Sequence, residues 1–146
     1  MKKRIAATRS GLTLGALLIA MASGACGDDP VTPSPTPTAP TLSMNQTQIF
    51  DVSCTSCHTD VGRNPSAGLN LKSGAAFANL VGVASSNSPG AVRVIVGNAN
   101  GSYIVQKLEG APGIVGMRMP RTGPPFLSDA LIKMVRDWIT AGALNN

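Results

Sequence analysis

The chain has 146 residues, 43% of them hydrophobic but only five aromatic, with three cysteines, one histidine and a formal net charge of +5. Four of the twelve Lys and Arg residues lie in the first nine positions, so from residue 26 onward eight basic residues face seven acidic ones and the net charge is +1. That balance, with no basic cluster interleaved with aromatics, excludes a nucleic-acid-binding surface.

Lys2, Lys3, Arg4 and Arg9 precede an apolar run from Gly11 to Ala25. The run is about half to three-quarters of a membrane-spanning length and is rich in Gly and Ala. It therefore reads as a cleaved export signal in preference to a short transmembrane anchor. Its end, "SGAC", resembles the lipobox of bacterial lipoproteins, with Ser23 where those proteins usually carry Leu or another aliphatic residue. The resemblance implies a lipoprotein signal peptide over 1–25 and acylation of Cys26 as the first mature residue; the alternative is a plain export signal cut nearby. One such anchor holds a protein at a membrane surface without spanning it. Gly27, not Asp, follows Cys26, so inner-membrane retention is not signalled and an outer-membrane or cell-envelope location is expected. Gly27 to Thr41 holds five prolines and no large apolar residue beyond Val31. This composition favours extended, polyproline-like backbone, and residues 26–42 read as a Pro/Thr-rich tether.

Residues 43–146 are enough for one small domain. Its core is thin: Phe50, Phe77, Tyr103, Phe126 and Trp138 are all its aromatics, and a core of this size usually needs a staple. "SMNQTQIFDVSC" has Ser43 with Gln46 three residues on, a capping-box pattern, and places Phe50, Cys54 and Cys57 at i, i+4 and i+7 on one helical face. "HTDVGRNPSAGLNL" reads as a loop. A short helix is expected from Ser73, with Ala76, Phe77, Leu80 and Val81 inward and Gly82 as terminator. After the loop "SSNSPG", the alternating valines of "VRVIV" form an extended connector, since no second convincing strand exists to pair with it. "NGSYIVQKLEG" is a third helix, capped near Asn100 or Ser102 and stopped by Gly110. The Pro- and Gly-rich stretch Ala111 to Pro125 is irregular. A last helix starts at Ser128 and presents Leu131, Met134, Val135, Trp138, Ile139 and Gly142 on one face. The expected class is all-α with long loops.

The stretch "CTSCH", Cys54 to His58, concentrates two of the three cysteines and the one histidine. A zinc site needs three or four converging ligands, but adjacent Cys57 and His58 do not readily meet at one tetrahedral ion and no second ligand pair exists. A redox dithiol would follow a strand and open a helix, whereas this pair follows a helical run. A disulfide between Cys54 and Cys57 would close no useful loop. The remaining reading is C-x-x-C-H as the attachment signature of c-type haem. Cys54 and Cys57 would form thioethers to the two vinyl groups and His58 Nε2 would ligate the iron. Its Nδ1–H would need a carbonyl acceptor, for which Asn64 to Ser66 is the candidate stretch. A covalently held porphyrin would also supply the missing apolar bulk and the missing cross-link.

From Ser43 to Ala143 the chain resembles a class I c-type cytochrome, a small monohaem cytochrome c-like domain. The resemblance rests on "CTSCH", on Phe50 four residues before it, on "RMP" (Arg118 to Pro120) and on "GPPFLSDALIKMVRDWITAGA" with Trp138. It implies a small helical domain wrapped around one covalent haem, with Phe50 against the helix face bearing Val135 and Trp138. Gln46 departs from the glycine many members carry where the first and last helices cross. The resemblance also implies that Met119, next to Pro120, is the distal iron ligand. Met117 is the other loop candidate. The implied activity is electron transfer, not enzymatic catalysis, with other redox proteins as transient partners. A haem peroxidase or a gas or redox sensor is the alternative, drawing on Arg118 or Arg121 in the absence of a distal histidine. A third possibility is a structural surface lipoprotein in which haem only stabilises the fold.

Overall fold

The computed structural model describes residues 38–62 and 64–146. The expected signal segment, Cys26 and the tether up to residue 37 lie outside the described residues. No helix among the described residues is long and apolar enough to cross a membrane.

The first helical segment runs through α1 (Leu42–Asn45), a π turn (Gln46–Phe50) and α2 (Asp51–Ser53). Its cap is Thr41, whose hydroxyl accepts from Met44 N at 3.1 Å, so the expected Ser43–Gln46 capping box is not formed. Ser43 instead donates its backbone N–H to Asn146 O at 2.9 Å. Gln46 turns inward, buried, and donates from Nε2 to Leu71 O at 2.8 Å and to Asp51 Oδ1 at 2.6 Å. The position that departs from glycine thus ties the helix to the loop beyond the CTSCH stretch. The helix ends one residue before Cys54, whose φ of −122° leaves the helical region. The regular i, i+4, i+7 face therefore does not reach Cys57, which sits in the following turn.

After a short 3-10 turn, Ser66–Gly68, the chain forms α3 (Ala76–Leu80). It starts three residues later than expected, and Gly82 takes a positive φ of 72° just beyond its end. The "VRVIV" segment returns alongside it through isolated pairings, Val81 with Val94 and Ala84 with Val92, and no strand ladder forms among the described residues. Val94 is fully buried while Val96 is exposed. The two would share one face of a regular strand, so the contact with the core ends beyond Val94.

Ser102 opens α4 (Tyr103–Glu109), and Gly110 closes it in the left-handed region at φ 73°. A Cβ at Gly110 would also lie 2.9 Å from Arg118 Cδ, so this position needs glycine for both conformation and space. Ser128 Oγ accepts from Leu131 N at the start of α5 (Asp129–Thr140). Val135, Trp138 and Ile139 are buried on α5, and so is Ile132, which the sequence reading left out; Leu131 and Met134 are half-buried.

α5 packs on α4 and α1. Phe50, Val135 and Trp138 belong to one continuous apolar cluster that also takes in Ile49, Leu80, Val94 and Val105. Trp138 donates its indole N–H to Leu144 O at 2.8 Å, and Leu42 N donates to Asn146 Oδ1 at 3.0 Å, so the last residues are tied to both helices. Helices on one side of this core and long loops on the other leave a cavity between them.

Candidate functional site

The CTSCH segment is a hydrogen-bonded turn built directly on the end of α2. Cys54 N donates to Phe50 O at 3.0 Å, and Cys57 N and His58 N both donate back to Cys54 O, at 3.1 and 2.9 Å. The following loop then folds back over the turn, with Ser66 N on Cys57 O at 3.1 Å and Leu71 N on His58 O at 2.8 Å. The same fold-back brings Ser66 O to 3.0 Å from His58 Nδ1. A carbonyl oxygen can only accept, so the contact places the ring proton on Nδ1 and leaves Nε2 with its lone pair. The acceptor lies within the stretch the sequence singled out.

Burial lowers the His58 pKa below the usual imidazole value, helped by the charges of Arg93 and Lys107 and opposed by the backbone contacts at Ser66 and Leu69. The ring is therefore neutral at pH 7, the form that binds a metal. Burial also pushes the Cys54 thiol up to about 12, with the nearby Asp51 carboxylate adding to the effect. A thiol-exchange centre needs the opposite, a stabilised thiolate. Cys54 and Cys57 are both unbridged, Cys54 half-buried and Cys57 exposed. Among the described residues, no three His, Cys, Asp or Glu side chains converge as a metal site.

A second set of residues comes from α4 and the Pro- and Gly-rich loop. Met119 N donates to Lys107 O at 2.8 Å. The Lys107 ammonium donates to Val115 O at 2.9 Å and to Met117 O, and Tyr103 OH accepts from Val115 N at 2.9 Å. Arg118 donates from Nε to Leu108 O at 2.7 Å and lays its guanidinium over the Phe126 ring, 4.3 Å from the centroid. The irregular loop is thus hung along α4 by its backbone. Met119 is half-buried against the apolar cluster, whereas Met117 is exposed.

Between these parts lies a cavity of about 600 Å³. Cys54, Cys57, His58, Met117 and Met119 all line it, on a wall of apolar side chains that includes Phe50, Leu69, Leu71, Leu80, Ile104 and Leu108. The structure thus gathers around one space the four site residues expected of the folded domain. Arg121 also lines it; Arg118 does not. Arg93, Tyr103 and Lys107 belong to the lining as well, and the sequence reading missed all three.

The donor set is one neutral imidazole nitrogen, one or two thioether sulfurs and two thiols in reach of the same apolar space. Such a set suits a soft or borderline metal better than a hard, hydrated cation. No family model, curated protein or solved structure matches the chain.

Proposed function

We propose that the folded domain is a monohaem c-type cytochrome that transfers electrons, held at a membrane surface by a lipid on Cys26. The observation that carries this reading is the His58 ring, locked by Ser66 O with Nε2 free, beside Cys54, Cys57 and Met119 around one cavity. At about 600 Å³ the space falls within the roughly 300–1,000 Å³ of cofactor pockets, and its lining is mainly apolar. The residues therefore fit the group.

Cys54 and Cys57 would hold the porphyrin through thioether bonds, His58 Nε2 would ligate the iron, and Met119 would supply a thioether sulfur as the second protein ligand. When bound, the group supplies a one-electron iron couple whose potential the axial ligands and their hydrogen bonds tune. The protein contributes the rest. The Ser66 carbonyl fixes the ring plane of His58 and raises its basicity. The loop bonds to α4 limit movement of Met119, so both oxidation states meet nearly the same surroundings. The buried wall of Phe50, Leu80 and Leu108 excludes water. The partners of such a carrier are other redox proteins, met briefly.

The reduced, purified full-length protein should give a pyridine haemochrome spectrum characteristic of two thioether links, one haem per chain, and should bind carbon monoxide slowly and incompletely. Fast, complete binding would turn the assignment towards a peroxidase or sensor. A protein without covalent haem would end it.

The anchor has its own test. Cys26→Ser should block acylation, and a version starting at Asp28 behind an ordinary export signal should be soluble without detergent. A continued need for detergent would place the membrane attachment in another segment.

A further inference from the structure

Arg93 is a buried residue, at 7% exposure, and none of the ion pairs among the described residues includes it. A buried charge without a carboxylate is retained only where other groups compensate it. Four acceptors do so here. Nη1 donates to Asn79 O at 2.8 Å, and Nη2 donates to Ala67 O at 3.0 Å, Gly68 O at 3.2 Å and Ser86 Oγ at 3.2 Å. Ser86 Oγ in turn donates to Ala67 O at 3.0 Å.

These contacts converge on the two residues directly after Ser66, whose carbonyl faces His58 Nδ1. Ala67 sits at φ 55°, and Gly68 at φ 58°. A residue with a Cβ keeps that conformation only where its surroundings hold it, and Ala67 O is the atom that both Arg93 and Ser86 grip. Two successive left-handed residues set the direction of the carbonyl just before them. On the other side, Ser66 N is bonded to Cys57 O. The Ser66 peptide is thus clamped from the front by the CTSCH turn and from behind by Arg93.

We propose that Arg93 is a positioning residue for His58: its planar fork, reaching α3 and the 66–68 turn at once, holds the Ser66 carbonyl on Nδ1. The inference rests on the haem reading given above. Lysine would keep the charge but could not span the same acceptors. Loss of the fork should release the turn, weaken the Nδ1–H bond and reduce the electron donation of the ring to the iron.

The test uses the full-length holoprotein and Arg93→Lys. A pyridine haemochrome spectrum of the wild type is recorded first; no covalent haem there would overturn the underlying reading and this one with it. With haem present, exchange of the His58 Nδ1 proton is followed by NMR in the reduced, diamagnetic state. It should be about tenfold faster or more in Arg93→Lys, as the loss of one or two buried hydrogen bonds implies, while α5 amides keep their rates. The midpoint potential should rise, because a less basic imidazole stabilises the ferric state less. Removal of mere cationic character cannot produce this, since the charge is retained. An unchanged Nδ1 exchange rate or a potential that fails to rise overturns the inference and leaves the haem reading standing. Should Arg93→Lys not mature, Ser86→Ala removes two contacts of the same clamp, those to Arg93 and to Ala67 O, from an exposed position. Faster Nδ1 exchange in that variant supports the role; an unchanged rate overturns it.

Discussion

Replacement of both Cys54 and Cys57 by alanine is expected to yield a protein with no haem resistant to acid–acetone extraction and no cooperative melting transition. The first half follows from the thioether assignment. The second follows from how the core is built. Of five aromatics, only Phe50 and Trp138 are fully buried, and Leu69, Leu71 and Met119 of the loops line the cavity. Without a cofactor the space of about 600 Å³ is left to water, and its apolar wall forgoes burial worth about 25 cal/mol per Å² out of a total domain stability of roughly 5–15 kcal/mol. Partial collapse would recover some of it, but only by dismantling the loop bonds to α4 and the fold-back over CTSCH. Far-UV circular dichroism and thermal melting of the double variant, beside the wild type, measure the effect. Retained helicity with a sharp transition would mean that the polypeptide core suffices alone.

The elements legible from sequence are those whose determinants are local. α5 combines a Ser128 cap with a long 3.6-residue stripe, and its start and most of its buried face follow from these. Ile132 was missed because it flanks that stripe, in a space set by neighbouring segments. The first helix was misplaced at both ends for two reasons. Thr41 stands two residues before Ser43 and takes the cap, and a π turn at Gln46–Phe50 breaks the 3.6 periodicity on which the projection to Cys57 relies. CTSCH stands out in the sequence because two cysteines and the histidine lie within five consecutive residues. The Ser66 acceptor could be bracketed because a loop returning over His58 must offer a carbonyl within a few residues. Arg93, Tyr103 and Lys107 were not legible. Their roles come from bonds to backbone atoms of loops 8 to 26 residues away, and backbone partners leave no trace in residue type.

The Met119→Ala variant is expected to lower the midpoint potential, by tens to hundreds of millivolts within the ~0.8 V span that axial ligation commands. It should also open the iron to carbon monoxide and abolish the weak far-red band of Met-ligated ferric haem. Thioether sulfur favours the reduced state, so its loss acts in one direction on the potential. Met117→Ala should leave all three properties nearly unchanged. The two residues differ in how the chain holds them. Met119 is half-buried against the apolar cluster, and its own N–H is fixed on Lys107 O at 2.8 Å. Pro120 stiffens the chain just beyond it, which reduces the entropy lost in keeping its sulfur in place. Met117 is 59% exposed and is gripped through its carbonyl by the Lys107 ammonium, a bond that alanine preserves. Truncation at 117 therefore leaves the loop latched to α4, while truncation at 119 removes a sulfur that already faces the cavity from a partly buried position. The reverse pattern would move the ligand to Met117. No change in either variant would refute methionine ligation from this loop and direct attention to a different sixth position.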